Sequence, residues 1–257
     1  MANFCNGNDL DLADVTSRLD SDGYVFIRDF LPRDEVQEAL DFLIKNLCQR
    51  YPLAPGGPMP KNIGLIRRQD LAAAEPVRQV LEHHRIFNLL RRLLGQEVVT
   101  PEFKWLRAVG TRQFTGVHMD RVFLQGSDRM LTVWIPLGYT PLQQGALLVV
   151  PGSHKLPEFQ EIQRTYGNSQ VGADGTQSGW LCDDPGELDK MVGRKVLWRT
   201  SHFWSGDIVI LDSRVLHMTA TNKTKEMRIS CDTRWQPRGD RRDPRVRNWH
   251  QQFPDEE

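Results

Sequence analysis

The spacing of apolar residues changes character near residue 97. Before it, apolar positions mostly recur at helical intervals; after it, they fall in short β-branched and aromatic runs. In the first part, "GYVFIRDFL" (23–31) predicts a short strand. Pro32 and Asp34 then open a helix through "RDEVQEALDFLIKNLCQRY", whose Val36, Leu40, Leu43, Ile44 and Leu47 recur at helical spacing. "PLAPGGPMP" (52–60) is a loop by its proline and glycine content. A second helical region is predicted from about 69 to 94, with Ile86, Leu89, Leu90, Leu93 and Leu94 on one side and Gly95 ending it as a C-cap.

From about Val98 the runs "VVTPEFKWLRAV", "MLTVWIPL", "GALLVVPG", "GDIVILD", "VLHMTATN" and "MRISCDTRW" read as strands separated by Gly, Pro, Asn and Asp. Strands following a helical third predict a mainly β fold with helical flanks, a sandwich or jelly roll buttressed by helices. The expected organisation is a single unit over 1–257: a helical support (1–97), a β core (98–237) and an Arg-rich tail (238–257). The polar, Gly-rich insertion 166–195 is expected to be either disordered or a lid over a site.

Composition narrows the function classes. Lys+Arg and Asp+Glu are both 33, so net charge gives no reason to expect a nucleic-acid or membrane partner. Cys5, Cys48, Cys182 and Cys231 form no C-x-x-C and resemble no zinc site, so free thiols in a reducing compartment are expected. "MANFCNGNDLDLADV" has no signal-peptide pattern, and no apolar run is long enough to span a membrane. A cytoplasmic protein is the expectation; the sequence leaves its oligomeric state open.

The chemistry-bearing feature is "TGVHMDRV". On a strand, residues i and i+2 share a face, so His118 and Asp120 would point to one place, with Met119 turned away. His217, in "RVLHMTATN", supplies a second imidazole. Two histidines and a carboxylate make the facial triad of non-haem Fe(II) enzymes, with three coordination positions left open for a bidentate cosubstrate and O2. Arg228 follows His217 by 11 positions, and Ser230 shares its strand face. A guanidinium with an adjacent hydroxyl is a receptor for a carboxylate. Alone, each of these residues is as easily a structural histidine or a surface arginine; the ordered set is what carries information.

The chain resembles the phytanoyl-CoA dioxygenase family of Fe(II)/2-oxoglutarate oxygenases. The resemblance runs through "DGYVFIRDFL", "TGVHMD", "LTVWIPL", "QGALLVVPGSH", "FWSGDIVILDSRVLHMTATN" and "MRISCDTRWQP". It implies a double-stranded β-helix (cupin-like) core, iron ligation by His118, Asp120 and His217, and Arg228 on the distal carboxylate of 2-oxoglutarate. It further implies Trp134 beside the oxoacid, a hydroxyl from Thr132 towards it and Asn62 as an amide contact. His154 in "PGSH" is read as a turn-capping residue. The implied activity is hydroxylation of an unactivated C–H of a small organic molecule, with release of succinate and CO2.

Arg107 and Trp105 before the H-x-D, and Asp232 and Arg234 after Arg228, are candidate substrate contacts; an internal ion pair among them is the competing reading. The tail "RGDRRDPRVR" (238–247) reads as a solvated Arg/Asp surface, with an anion or partner contact as the alternative. Two other function classes stay open: a catalytically silent β-helix binding module, and a cupin-like metalloenzyme that does not use 2-oxoglutarate.

Overall fold

The predicted helix over 69–94 is three helices. α3 (Gln69–Ala73) stops at Ala74, which is extended, and α4 (Glu75–Leu81) restarts with a proline in its first turn. Pro76 has no N–H to extend the hydrogen bonding of α3 but suits a first helical turn, so the chain re-nucleates instead of continuing. His83 is extended and caps α5 (His84–Leu94), its ring accepting from the Arg85 N–H. These elements belong to a computed structural model that describes residues 4–50, 68–171 and 179–250, without the side chains of 48–50. The predicted loop 52–60 and Asn62 lie outside the described residues.

The other N-terminal elements are β1 (Phe4–Asn6), α1 (Leu12–Asp22), β2 (Tyr24–Arg28) and α2 (Arg33–Arg50). The predicted run 98–109 is likewise divided, into β3 (Val98–Pro101) and β4 (Trp105–Val109). Then come β5 (Leu131–Pro136), β6 (Leu147–Val149), α6 (Gln160–Arg164), α7 (Pro185–Val192) and β7 (Arg199–Thr200). β8 (Ile208–Asp212), β9 (His217–Thr219), β10 (Arg228–Pro237) and β11 (Trp249–His250) complete the described strands and α-helices. The major sheet runs β1-β2-β8-β5-β10-β3-β11, with β4 also on β10; the minor sheet runs β7-β6-β9. β10 is the spine: it pairs with β5 over Ser230–Trp235 and with β4 over Arg228–Asp232.

Strand alternation sorts side chains into layers. Val133 and Ile135 of β5, Ile208 and Ile210 of β8, and Ile229, Cys231 and Trp235 of β10 face the helices. There they pack with Val36 and Leu43 of α2, Leu81 of α4 and Ile86 and Leu90 of α5. The opposite face sends Phe26, Trp134, Val209 and Leu211 against Leu147 and Val149 of the minor sheet. This is the jelly roll predicted by the strand pattern, in the double-stranded β-helix form that the family resemblance implies. A third apolar layer, containing Val117, Met119, Phe159, Ile162, Leu188 and Met218, lies outside the minor sheet. The described parts of the 166–195 insertion join it: Cys182 bridges to Val117, and Tyr166 Oη donates to Gly179 O at 2.6 Å.

The tail keeps its arginines exposed, as a solvated surface would, but it is pinned at one point. Asp243 is buried and accepts from the Gln125 N–H at 2.8 Å and from Arg245 at 2.6 Å. Arg245 also reaches the carbonyls of Val171 and Phe123, and β11 pairs with β3. A buried carboxylate fully supplied with donors holds this segment against the sheet edge.

His83 makes stability sensitive to acid. Burial, then the neighbouring His84 and Arg85, push its pKa down to about 4 from an ordinary 6.5. The folded state therefore resists a proton that the unfolded chain accepts. The contribution is intact above pH 6.5 and is lost as pH falls towards 4, on the order of 3 kcal/mol at the limit. Thermal melts between pH 7 and 4.5 should show a shallower decline for His83→Gln, which keeps a cap acceptor; an unchanged slope would refute the assignment.

Candidate metal centre

His118, Asp120 and His217 converge, with one potential ligand atom from each lying within 4.8 Å of the others. His118 Nε2 is 3.8 Å from Asp120 Oδ1, and His217 Nε2 is 3.7 Å from the same oxygen. The two imidazoles are 4.1 Å apart between ring centres. All three side chains are buried. His118 Nδ1 faces Gly116 O at 2.8 Å and His217 Nδ1 faces Val215 O at 3.1 Å. A carbonyl can only accept, so Nδ1 carries the proton in each ring and Nε2 keeps a lone pair. Burial, and then the adjacent His217, hold His118 well below the ordinary histidine range, which keeps that ring in its neutral, ligating form.

The backbone arrives at this geometry differently from the strand expectation. His118 makes an isolated antiparallel bridge with His217, exchanging both backbone hydrogen bonds with it. Asp120 already begins a 3-10 turn, Asp120–Val122. A bridge followed by a tight turn brings the two side chains together. Met119 is completely buried in the outer apolar layer, away from the metal face, as the alternation predicts.

Two residues assigned elsewhere by sequence reasoning serve Asp120. Thr132 Oγ1 donates to Asp120 Oδ2 at 2.6 Å, so it is committed to the carboxylate and not to an oxoacid. Arg234 Nη2 donates to Asp120 Oδ1 at 2.6 Å, with both side chains about 1% exposed. Arg234 is thus a buried buttress of the metal face, with Nε and Nη1 unpartnered among the described residues, and its guanidinium lies over the Trp105 ring at 4.5 Å. Burial raises the Asp120 pKa, but Arg234, the two histidines and the Thr132 hydroxyl outweigh it and hold the carboxyl well below the usual range. Nothing in the one-dimensional pattern signals an ion pair spanning 114 positions; the i, i+2 rule places Arg234 only on the inner face of its strand.

Further along that face, Arg228 is buried and spends Nη1 on Gly145 O at 2.7 Å. Gly145 holds φ +88°, a left-handed conformation open to glycine, in the turn before β6. Arg228 Nε and Nη2 and Ser230 Oγ are buried without a partner among the described residues. Burial, and then Arg107, push the Arg228 pKa down to about 9. A cation so placed needs an anion. Arg107 Nε donates to Asp232 Oδ2 at 2.7 Å, which is the internal ion pair weighed against a substrate role. Trp134 lies on the inner face of β5, edge-on to Phe203 at 4.9 Å, opposite Asp232. His154 Nε2 faces Asp20 O at 3.0 Å, a turn contact distant from the metal face.

Two features of the site went unread in the sequence. Phe123 stands edge-on to His118 at 5.7 Å, and Gly145 supplies the carbonyl for Arg228. Gly145 had a signal, a glycine in a turn before a strand; Phe123 had none.

Known proteins bear on this arrangement. A curated 1-deoxypentalenic acid 11-beta-hydroxylase of Streptomyces arenae is 22% identical over 236 residues, covering 85% of this chain and 78% of that one. The solved non-heme alpha-ketoglutarate-dependent carbocyclase SnoK from nogalamycin biosynthesis is similar in fold, with a TM-score of 0.65 and 18% identity over 95% of this chain and 90% of that chain. EctD from S. alaskensis, in its apoform, gives a TM-score of 0.61 and 20% identity over 88% of this chain and 76% of that chain. Among the described residues, no helix is long and apolar enough to cross a membrane. The phytanoyl-CoA dioxygenase family pattern matches residues 19–230, a span that contains the metal face, β5, and β10 as far as Ser230, and the chain is an enzyme belonging to that family.

Proposed function

We propose that His118, Asp120 and His217 hold Fe(II), that Arg228 and Ser230 bind the distal carboxylate of 2-oxoglutarate, and that the enzyme hydroxylates an unactivated C–H of a small organic molecule. The observation that carries this reading is a row of unpartnered buried atoms, Arg228 Nε, Arg228 Nη2 and Ser230 Oγ, which Arg234 Nε and Nη1 continue. They are donors on one inner strand face, near a cluster of two imidazoles and a carboxylate, and a dicarboxylic oxoacid satisfies both features at once. A dioxygenase of this family has use for such a receptor; a silent module or a metalloenzyme without the oxoacid does not.

Iron and 2-oxoglutarate together supply the oxidising power, reducing O2 while the oxoacid becomes succinate and CO2 and a substrate C–H becomes C–OH. The chain's residues do the rest. The Nδ1 contacts of His118 and His217 aim their Nε2 atoms at one point. Thr132 and Arg234 fix the orientation of the Asp120 carboxylate beside them. The presence of Asp120 itself favours hydroxylation, because related halogenases replace that ligand with a small residue. Trp134 forms the apolar inner wall of β5, keeping water away from the oxoacid. Asn62 is an amide contact in this reading, on sequence grounds alone.

We further read residues 1–257 as one oxygenase unit working in the reducing cytoplasm, consistent with the free thiols Cys5, Cys182 and Cys231. The test is anaerobic titration with Fe(II) and 2-oxoglutarate. A visible charge-transfer band should appear only with both, and air should then yield succinate. Iron binding without a band would favour the cupin-like alternative, and no iron binding the silent module.

A further inference from the structure

We propose that the substrate carries a carboxylate, received by the terminal guanidinium nitrogens of Arg107 beside the Trp105 ring. This rests on the iron and 2-oxoglutarate reading above. Three guanidinium groups, those of Arg107, Arg228 and Arg234, occupy the inner faces of β4 and β10. Arg228 and Arg234 are about 1% exposed, whereas the Arg107 side chain is 17% exposed. Arg107 commits Nε to Asp232, whose carboxylate keeps the guanidinium charged against the cost of burial. Its Nη1 and Nη2 have no acceptor among the described residues, so the end of the fork faces accessible space.

Charge points the same way. Three guanidinium ions face two carboxylates, Asp120 and Asp232, and an imidazole that ligates a metal through its lone pair adds no charge. One positive charge is left over. Ferrous iron adds two and the 2-oxoglutarate dianion removes two, so the excess persists until a further anion arrives. A water-poor site stabilises such an excess badly, and a singly charged carboxylate cancels it.

The surroundings specify the rest of the molecule. Trp105 lies two residues from Arg107 on the same strand face, with Phe103 edge-on to it at 5.0 Å. Trp105 also lines a groove of about 420 Å3 whose apolar part is Phe103, Phe123, Leu124 and Val246 and whose polar part is Glu102, Arg245, Arg247 and Asn248. That volume is in the range of small-molecule sites. Trp105 touches the buttress Arg234 and Phe123 touches the ligand His118, so the groove adjoins the metal face. An apolar body set against the Trp105, Phe103 and Phe123 rings, with its one carboxylate on Arg107, fits this arrangement.

The test uses the anaerobic Fe(II) enzyme with saturating 2-oxoglutarate. It is titrated with 3-phenylpropionate and with decanoate, and with the primary amide of each, following perturbation of the charge-transfer band. Each acid should bind at least about tenfold more tightly than its amide, the loss expected for a charge-assisted hydrogen bond. Arg107→Gln should shrink that preference to within about threefold while the band still forms. Amides binding as well as acids, or no acid binding, would overturn the proposal. So would acids that bleach the band by displacing 2-oxoglutarate, or an Arg107→Gln variant whose 2-oxoglutarate affinity falls with the acid preference, since Arg107 would then serve the cosubstrate. Failure of the band to form in the parent enzyme before any acid is added sinks the iron and 2-oxoglutarate reading, and this proposal with it.

Discussion

Arg228→Met is expected to weaken 2-oxoglutarate binding by about 10²–10³-fold, while leaving the ligand-free protein at least as stable as the parent. The two halves follow from one observation. Arg228 is buried, yet among the described residues its one hydrogen bond is from Nη1 to Gly145 O. Its remaining donors are unsatisfied, and burial with Arg107 nearby pushes its pKa down to about 9. A buried, half-paired cation is a burden in the ligand-free state, so a flexible apolar side chain of similar length removes a desolvation cost along with one hydrogen bond. In the bound state the balance reverses, because the carboxylate loses its charge-assisted partner. Dependence of succinate formation on 2-oxoglutarate concentration measures the first half. Thermal melts measure the second: 2-oxoglutarate with an inert divalent metal should raise the midpoint for the parent and not for the variant. A variant much less stable than the parent without ligand, yet stabilised as much by the oxoacid, would show that Arg228 is structural.

Much of this site was legible because strand alternation is a strict rule. Ile229, Cys231 and Trp235 alternate with Arg228, Ser230, Asp232 and Arg234 along β10, and the sequence alone says which four share the inner face. What alternation cannot say is who meets whom across strands. Thr132 pairs in register with Arg234, and that pairing brings both to Asp120. Register is set by the whole sheet, so strand alternation and the family resemblance alone point Thr132 to the oxoacid and Arg234 to the substrate. The H-x-D pair was correct in its destination and wrong in its route. The i, i+2 argument presumes an extended chain, whereas Asp120 opens a 3-10 turn held by the Phe123 N–H on its carbonyl. The helical region 69–94 misled for a related reason. Its apolar spacing persists through Pro76 and His83, because all three helices bury a face against the same core, and the breaks show only in Pro76 itself.

Arg234→Leu is expected to lower iron affinity about 10–100-fold and to destabilise the metal-free protein by about 3 kcal/mol, with much of that loss recovered when Fe(II) is added. In the parent, Asp120 is buried between Arg234 on Oδ1 and Thr132 on Oδ2. Removing Arg234 leaves a buried carboxylate with one hydroxyl donor, and burial is the largest influence raising its pKa. Two consequences distinguish a positioning role from a simple packing loss. First, a divalent cation can replace the missing countercharge, so Fe(II) should raise the melting midpoint of the variant by more than that of the parent. Second, the carboxyl must now give up a proton to bind metal. The parent group is held well below the usual range and is ionised throughout weakly acidic pH; the variant group, with its pKa raised, is ionised above that raised value and protonated as pH falls through it. Iron affinity in the variant should therefore drop more steeply than in the parent between about pH 7 and pH 5. Arg234→Lys keeps a charge but loses the planar fork over Trp105, and should fall between the two. Equal metal stabilisation and parallel pH profiles for parent and Arg234→Leu would mean that Thr132 and the histidines alone orient Asp120, and that Arg234 is there to fill the space between Trp105 and the carboxylate.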